Sequence, residues 1–144
     1  MIVRAAALAC CVLVPAALVA CGVEPGSGAC TETSIAAPSA TLPAVTSPLR
    51  LPATLSAGAS PVAGAELAFF VRLTKPDGTV NSVRMGETTT GSDGVATFER
   101  QDGVDGLGFS DEKPEGYTVE YNPLTKIDGK QYCRSRATAS LAVG

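Results

Sequence analysis

The fold is decided by residues 65–74, which read AELAFFVRLT. Apolar side chains recur at every second position of this stretch, at Leu67, Phe69, Val71 and Leu73. Successive side chains of a strand point to opposite faces of its sheet, so this period of two predicts a β-strand with one face in a core. Its other face carries Phe70, an outward aromatic residue unless a loop covers it.

Turn and strand patterns continue downstream. Residues 75–78, KPDG, predict a turn because Pro fixes one dihedral angle and Gly supplies a positive φ. Short strands are predicted at residues 79–85, 87–90 and 95–100. The last two are separated by GSDG at residues 91–94, where Asp-Gly is a strong signal for a β-hairpin.

The remaining segments extend the same pattern. Residues 49–55 alternate as a strand, in which Pro52 predicts a position at a sheet edge. Residues 101–116 form the longest break, and strands are predicted again around residues 117–121 and over residues 131–143. No helical pattern of ten residues follows the N-terminal apolar segment. About seven short strands with turns between them predict an all-β fold, a sandwich of antiparallel strands.

The first twenty residues have a different character. Arg4 precedes an apolar run over residues 5–17, which is shorter than the roughly 20 residues that a spanning helix needs. The run therefore indicates a signal peptide, with an uncleaved membrane anchor as the alternative. The sequence Leu18-Val19-Ala20-Cys21 resembles the lipobox of bacterial lipoprotein precursors. An ordinary secretory cleavage site after Ala20 is a second alternative.

The lipobox resemblance implies that residues 1–20 are removed and that Cys21 carries lipid. The protein would then be anchored at the outer face of the bacterial cell membrane. Residues 21–48 are rich in Pro, Gly, Ser, Thr and Ala, a composition typical of a flexible linker. These boundaries place the folded domain at residues 49–144.

The chain has five cysteines. Cys10 and Cys11 lie in the predicted signal peptide and Cys21 is the predicted lipidation site, which leaves Cys30 and Cys133. An exported protein meets an oxidising compartment, so we expect a disulfide between these two; a pair of free thiols is the alternative. The disulfide would leave only residues 21–29 as a free tether.

Four segments carry a second resemblance. Residues 60–69, 88–98, 117–121 and 137–143 resemble, in this order, successive strands of bacterial Ig-like domains of the invasin/intimin type. The resemblance covers about 95 residues and implies an Ig-like β-sandwich. The family pattern includes neither the break at residues 101–116 nor the cysteine pair.

The composition excludes several function classes. The chain has no His, which removes Ser-His-Asp and Cys-His catalysis and the commonest zinc ligand. Its net charge is −3 without a visible basic patch, so nucleic acid is not an expected partner. We expect no cofactor, no catalytic residue and no enzymatic activity.

The loop 101–116 is the predicted contact surface for a partner. Its candidate residues are four carboxylates and one aromatic residue: Asp102, Asp105, Phe109, Asp111 and Glu112. Apolar residues on loops that do not serve the core often meet partners. For the carboxylates, a calcium site, glycosidase-like acid–base chemistry and plain solvated charge are the alternatives. Their spacing matches no EF-hand loop, so we predict no metal site.

A sugar-stacking platform is a further alternative, made by Phe70, Phe109, Tyr121 and Tyr132 if these side chains share a face; core packing is the other interpretation.

The leading functional hypothesis is a lipid-anchored binding or scaffolding module that presents the loop 101–116 to an envelope protein or polysaccharide. The second hypothesis is a non-catalytic accessory subunit of a larger envelope or secreted complex.

Overall fold

The computed structural model describes residues 29–108 and 110–144. The predicted signal peptide, the lipobox with Cys21, and Phe109 lie outside the described residues. The described part contains strands and no helix, so it holds no helix long and apolar enough to cross a membrane. In chain order the strands are β1 Ser34–Ala36, β2 Ala40–Leu42, β3 Leu49–Ala57, β4 Ser60–Pro61, β5 Glu66–Thr74, β6 Val80–Thr89, β7 Val95–Arg100, β8 Lys113–Tyr121 and β9 Ser135–Val143.

The strands form two sheets. One sheet contains β1, β3, β4 and β7, with β3 paired to the other three. The second has the order β2-β9-β8-β5-β6. Every pairing is antiparallel except that of β2 with β9, which is parallel. The β3–β7 pair in one sheet and the β5–β8–β9 group in the other reproduce the B–E and C–F–G neighbours of an Ig-like sandwich. The predicted all-β sandwich is confirmed.

The core lies between the sheets and follows the predicted period of two. On β5, Leu67, Phe69, Val71 and Leu73 are buried, as the alternation in residues 65–74 indicated. The ring of Phe69 stacks on Phe98 of the opposite sheet, with 5.5 Å between ring centroids. The other buried apolar residues are Leu42, Leu49, Leu51, Ala53, Leu55, Val62, Ala65, Ala96, Val104, Tyr117, Val119, Tyr121 and Leu141.

The domain begins earlier than the sequence indicated. Residues within the predicted linker 21–48 form β1 and β2, and Ser34 pairs with Ser56 of β3 while Ala40 pairs with Leu141 of β9. The hydroxyl of Tyr117 also donates to the carbonyl of Pro38. The boundary at Leu49 was therefore wrong. A Pro-rich segment is already extended, and its residues between prolines can pair with a sheet edge.

Three local predictions need correction. The two strands expected at residues 79–85 and 87–90 are the single strand β6, which continues through Gly86 beside a register shift in β5. The turn at residues 91–94 forms, but it is not a hairpin, because β6 and β7 belong to different sheets. Strand β8 begins at Lys113, which shortens the loop to residues 101–112.

Candidate functional site

The strand directions define two ends of the sandwich. Thr74 at the end of β5 pairs with Lys113 at the start of β8, so the turn 75–79 and the loop 101–112 share one end, here called the acidic end. Tyr121 at the end of β8 pairs with Ser135, so the loop 122–134 lies at the opposite end. The disulfide joins Cys30 to this second loop, and we call this end the cysteine end.

A tight turn forms one side of the acidic end. The amide of Lys75 donates to Thr79 O at 2.8 Å, and Gly78 takes the positive φ of +84° that the sequence predicted. The amide of Thr79 donates to Asp77 Oδ1 at 2.8 Å. Hydrogen bonding from the Thr79 side chain, and then from this amide, favours the charged form and holds the pKa of Asp77 below its ordinary value of 3.8.

The first half of the loop 101–112 is fixed to the domain. The amides of Val104 and Asp105 both donate to Val45 O, at 2.8 and 3.2 Å, and the Val104 side chain is only 5% exposed. Gly103 has a φ of +59°, and a Cβ there would overlap the Val45 and Ser47 carbonyl oxygens. The sequence missed this contact because Val45 belonged to the predicted linker.

The four loop carboxylates differ in their surroundings. Asp102, Asp105 and Asp111 are exposed, while Glu112 accepts a hydrogen bond from Asn81 Nδ2 on β6. Within residues 29–108 and 110–144, no group of three or more potential ligand side chains is placed to hold a metal ion. The described residues therefore offer the calcium alternative no group of three side-chain ligands. A cleft of about 190 Å³ lies between the loop and Leu73.

The cysteine end contains the predicted disulfide, which is confirmed. Cys30 is bonded to Cys133, with the two Cα atoms 4.9 Å apart. Backbone hydrogen bonds surround the bridge: Thr31 N donates to Gln131 O and Cys133 N donates to Thr31 O, both at 2.8 Å. Thr33 Oγ1 adds a bond to Cys133 O at 2.9 Å. The chain therefore enters the domain at a fixed point on this end.

The loop 122–134 projects from the cysteine end. Its tip at residues 127–130 is a two-residue hairpin closed by bonds between Ile127 and Lys130. The central residues Asp128 and Gly129 have φ values of 48° and 75°, as a type I′ turn requires. Leu124 on the same loop is 96% exposed. Clefts of about 370 and 430 Å³ flank it on two sides.

Sequence reasoning missed Leu124. The signal was present as an apolar residue between the strand end at Asn122-Pro123 and a polar turn, where no strand pattern explains it. The alternative of a sugar-stacking platform required Phe70, Phe109, Tyr121 and Tyr132 to share a face, and two of the described members do not. Phe70 lies on the outer face of its sheet, whereas Tyr121 lies in the core between the sheets.

Tyr121 reaches from the core toward Tyr132. Burial raises the pKa of the Tyr121 hydroxyl, and the nearby Tyr132 raises this pKa further. Within the part of the chain that the structure describes, this buried hydroxyl has no hydrogen-bond partner. Tyr132 is half-buried, and Lys130 Nζ lies 5.6 Å from the centroid of its ring.

Comparison with known proteins leaves the chain without an assigned family. No protein-family model matches it. A search of curated proteins also found no match.

Proposed function

We propose that the protein is a lipid-anchored, extracytoplasmic Ig-like domain that binds or scaffolds a partner at the bacterial cell envelope, without catalysis. The observation that carries this proposal is that the entry of the chain and the exposed loop carboxylates lie at opposite ends of the sandwich. The chain enters the domain at Cys30, on the cysteine end, whereas the exposed carboxylates of the loop 101–112 lie on the acidic end. An anchor on Cys21 would therefore leave the acidic loop directed away from the membrane.

The lipid anchor rests on the lipobox resemblance at residues 18–21. The disulfide would limit the distance between the membrane and the cysteine end, because only nine residue steps separate Cys21 from the bridged Cys30. Such a tether spans at most about 30 Å when fully extended. The cysteine end is thereby kept close to the membrane, and the length of the sandwich separates the acidic loop from it.

Metabolic labelling tests the anchor. Cells that express the full chain receive an alkyne analogue of palmitate, and membrane fractions are probed for the protein. The wild-type chain and a Cys10→Ala/Cys11→Ala variant should be labelled and sediment with membranes, whereas Cys21→Ala should be unlabelled. Labelling that survives in Cys21→Ala would refute the assignment of the lipidation site.

Site-specific photocrosslinking tests the binding role of the acidic end. A photoreactive amino acid is placed at Asp105 or Asp111 in the lipidated protein, with Asp93 at the cysteine end as the matched control. All three are exposed carboxylates on loops or turns. Crosslinks to an envelope protein or polysaccharide from the first two sites only are expected. Equal products from all three sites would contradict a partner surface at the acidic end.

An accessory subunit remains the second candidate, and the sheet edges favour it. Among the described strands, β6 pairs only with β5 and β7 pairs only with β3, so each sheet keeps an open edge. Val80 at the start of β6 is 42% exposed. Open edges are sites where another chain can add a strand. An accessory subunit would co-purify with one protein at fixed stoichiometry, whereas a binding module would be recovered free until ligand is added.

A further inference from the structure

The loop 122–134 has the features of a membrane-contacting loop. Leu124 is 96% exposed, whereas the next most exposed large apolar residues, Val80 and Val45, are 42% and 40% exposed. Leu124 stands beside Pro123, between the end of β8 and the hydrogen-bonded I′ hairpin at residues 127–130. A large apolar side chain that the domain leaves in water is suited to burial in another phase.

Basic side chains surround this apolar residue. Lys126, Lys130 and Arg134 are exposed, and none of them forms an ion pair with a described residue. By contrast, Arg50 is paired with Glu99 at 2.9 Å and Arg72 with Glu115 at 3.0 Å. Unpaired cations next to an exposed apolar residue match the chemistry of an anionic phospholipid surface.

The two loops at opposite ends of the sandwich differ in charge. The loop 122–134 carries three cations against one carboxylate, Asp128, whereas the loop 101–112 carries four carboxylates and no cation. Other carboxylates at the cysteine end are Glu32, 3.6 Å from Cys133 Sγ, Glu66 at the start of β5, Asp93 in the turn 91–94, and Glu120, 3.4 Å from Arg136. The carboxylate of Glu120 is already paired, and none of these four residues belongs to the projecting loop. An anionic surface would therefore attract this loop and repel the acidic one.

The tether supplies the third argument. Its folded end at Cys30 is bonded to Cys133 within the same loop, one residue from Arg134. Nine residue steps span at most about 30 Å. An anchor on Cys21 would hold the loop within this distance of the bilayer. At such a high local concentration, contacts that are weak on their own become occupied.

We infer that the cysteine end rests on the anionic phospholipid surface of the membrane that holds the protein, with Leu124 inserted among the headgroups and Lys126, Lys130 and Arg134 contacting phosphates. This inference rests on the proposed lipid anchor. The contact gives the domain a fixed orientation, with the acidic loop pointing outward.

A fluorescent probe beside Leu124 tests the contact with Leu124 itself intact. In the mature protein, Thr125→Cys provides the single free thiol, because Cys21 carries lipid and the other two cysteines are bridged. The thiol is labelled with an environment-sensitive nitrobenzoxadiazole dye, and the lipidated protein is reconstituted into vesicles of phosphatidylglycerol and phosphatidylcholine. The matched control carries the dye at Asp105→Cys, on the acidic end.

We expect the emission at position 125 to shift to the blue and rise at least about two-fold on reconstitution, while the control stays unchanged. Leu124→Ser in the labelled protein should remove most of the rise. Vesicles of phosphatidylcholine alone, or Lys126→Gln/Lys130→Gln/Arg134→Gln, should reduce it. Leu124 is exposed, so its substitution should leave the unfolding curve unchanged.

The opposite results separate the inference from the anchor. Protein that floats with the vesicles while the dye at position 125 stays in water would overturn the contact and leave the anchor intact. Protein that fails to float would overturn both. A blue shift that requires added envelope protein would also refute the lipid contact, since the loop would then dock on a protein.

Discussion

At the scale of single residues, Thr90 shows how this fold satisfies buried polar groups. Its hydroxyl donates to Val62 O at 2.6 Å and accepts from Ala65 N at 2.9 Å, and the residue is buried. Its backbone adds reciprocal bonds, from Gly64 N to Thr90 O at 2.9 Å and from Thr90 N to Ala65 O at 2.8 Å. One side chain therefore fixes the entry to β5 against the end of β6.

Thr90→Val should be destabilising although it conserves shape. It would leave the Val62 carbonyl and the Ala65 amide without their partner, and each unpaired buried group costs about 1–3 kcal/mol. Urea unfolding should show a loss of at least about 1 kcal/mol in the free energy of unfolding. Thr89→Val, at the exposed last position of β6, is the matched control and should change little. Equal losses in both variants would contradict the role of the hydroxyl.

Asp77 gives a prediction for pH dependence. Its pKa is lowered in the folded state, chiefly by the hydrogen bond from Thr79. A depressed carboxyl pKa stabilises the fold above the unfolded value of 3.8, and this contribution disappears as the pH falls through the folded pKa. NMR titration should give a pKa below 3.8. Asp77→Asn should reduce the loss of stability between about pH 4 and pH 2. A normal titration at Asp77 would refute the prediction.

At the scale of elements, the sequence revealed strand faces better than strand partners. The inward positions of residues 65–74 were correct because period two is a local property of the chain. The hairpin expected at residues 91–94 was wrong, and the strands of the Pro-rich segment were missed. Both errors arose because strand pairing depends on where distant strands lie. The Asp-Gly turn formed between β6 and β7, yet nothing local showed that the chain changes sheets there.

The same limit applies to the candidate sites. The bridge between residue 30 and residue 133 was predicted correctly, because the number of cysteines and an expected oxidising compartment were enough for that inference. The loop 101–112 was found as a break in the strand pattern. Its attachment to Val45 was not found, because 58 residues or more separate Val45 from Gly103 and its neighbours in the sequence.

The attachment of the loop 101–112 can be tested with two glycines. Gly103 and Gly106 have similar φ values, +59° and +70°, but only at Gly103 would a Cβ overlap backbone atoms. Gly106→Ala therefore measures the cost of the left-handed conformation alone, about 1–2 kcal/mol. Gly103→Ala should cost about 1–3 kcal/mol more, because Val45 and Ser47 must move.

Thermal or urea unfolding of both variants measures this difference. Hydrogen exchange adds a second readout, since the amides of Val104 and Asp105 should lose protection in Gly103→Ala and keep it in Gly106→Ala. Equal stability of the two variants would show that the loop is not held by residues 43–47.

At the scale of the whole molecule, the N-terminal segment connects both sheets. It adds β1 to one sheet and β2 to the other, and Tyr117 holds its middle through the Pro38 carbonyl. The disulfide fixes its beginning. A segment held at four places is part of the fold. With the proposed lipid anchor on Cys21, this segment would also determine which end of the sandwich faces the membrane.

Removal of the disulfide should show how much the fixed N-terminal segment stabilises the domain. The bridge joins residues 103 positions apart, and closing a loop of this size in the unfolded chain stabilises a protein by about 2–5 kcal/mol. In a Cys21→Ala background, Cys30→Ser/Cys133→Ser should lose free energy of unfolding in this range. Each single substitution breaks the same bond, so each should cost nearly as much as the pair. Losses that simply add would show that the two cysteines act independently.

In the variant without the bridge, hydrogen exchange should rise most at β1 and least at β5, which lies between two strands of its sheet. Uniform loss of protection would instead mean that the segment holds the whole sandwich together.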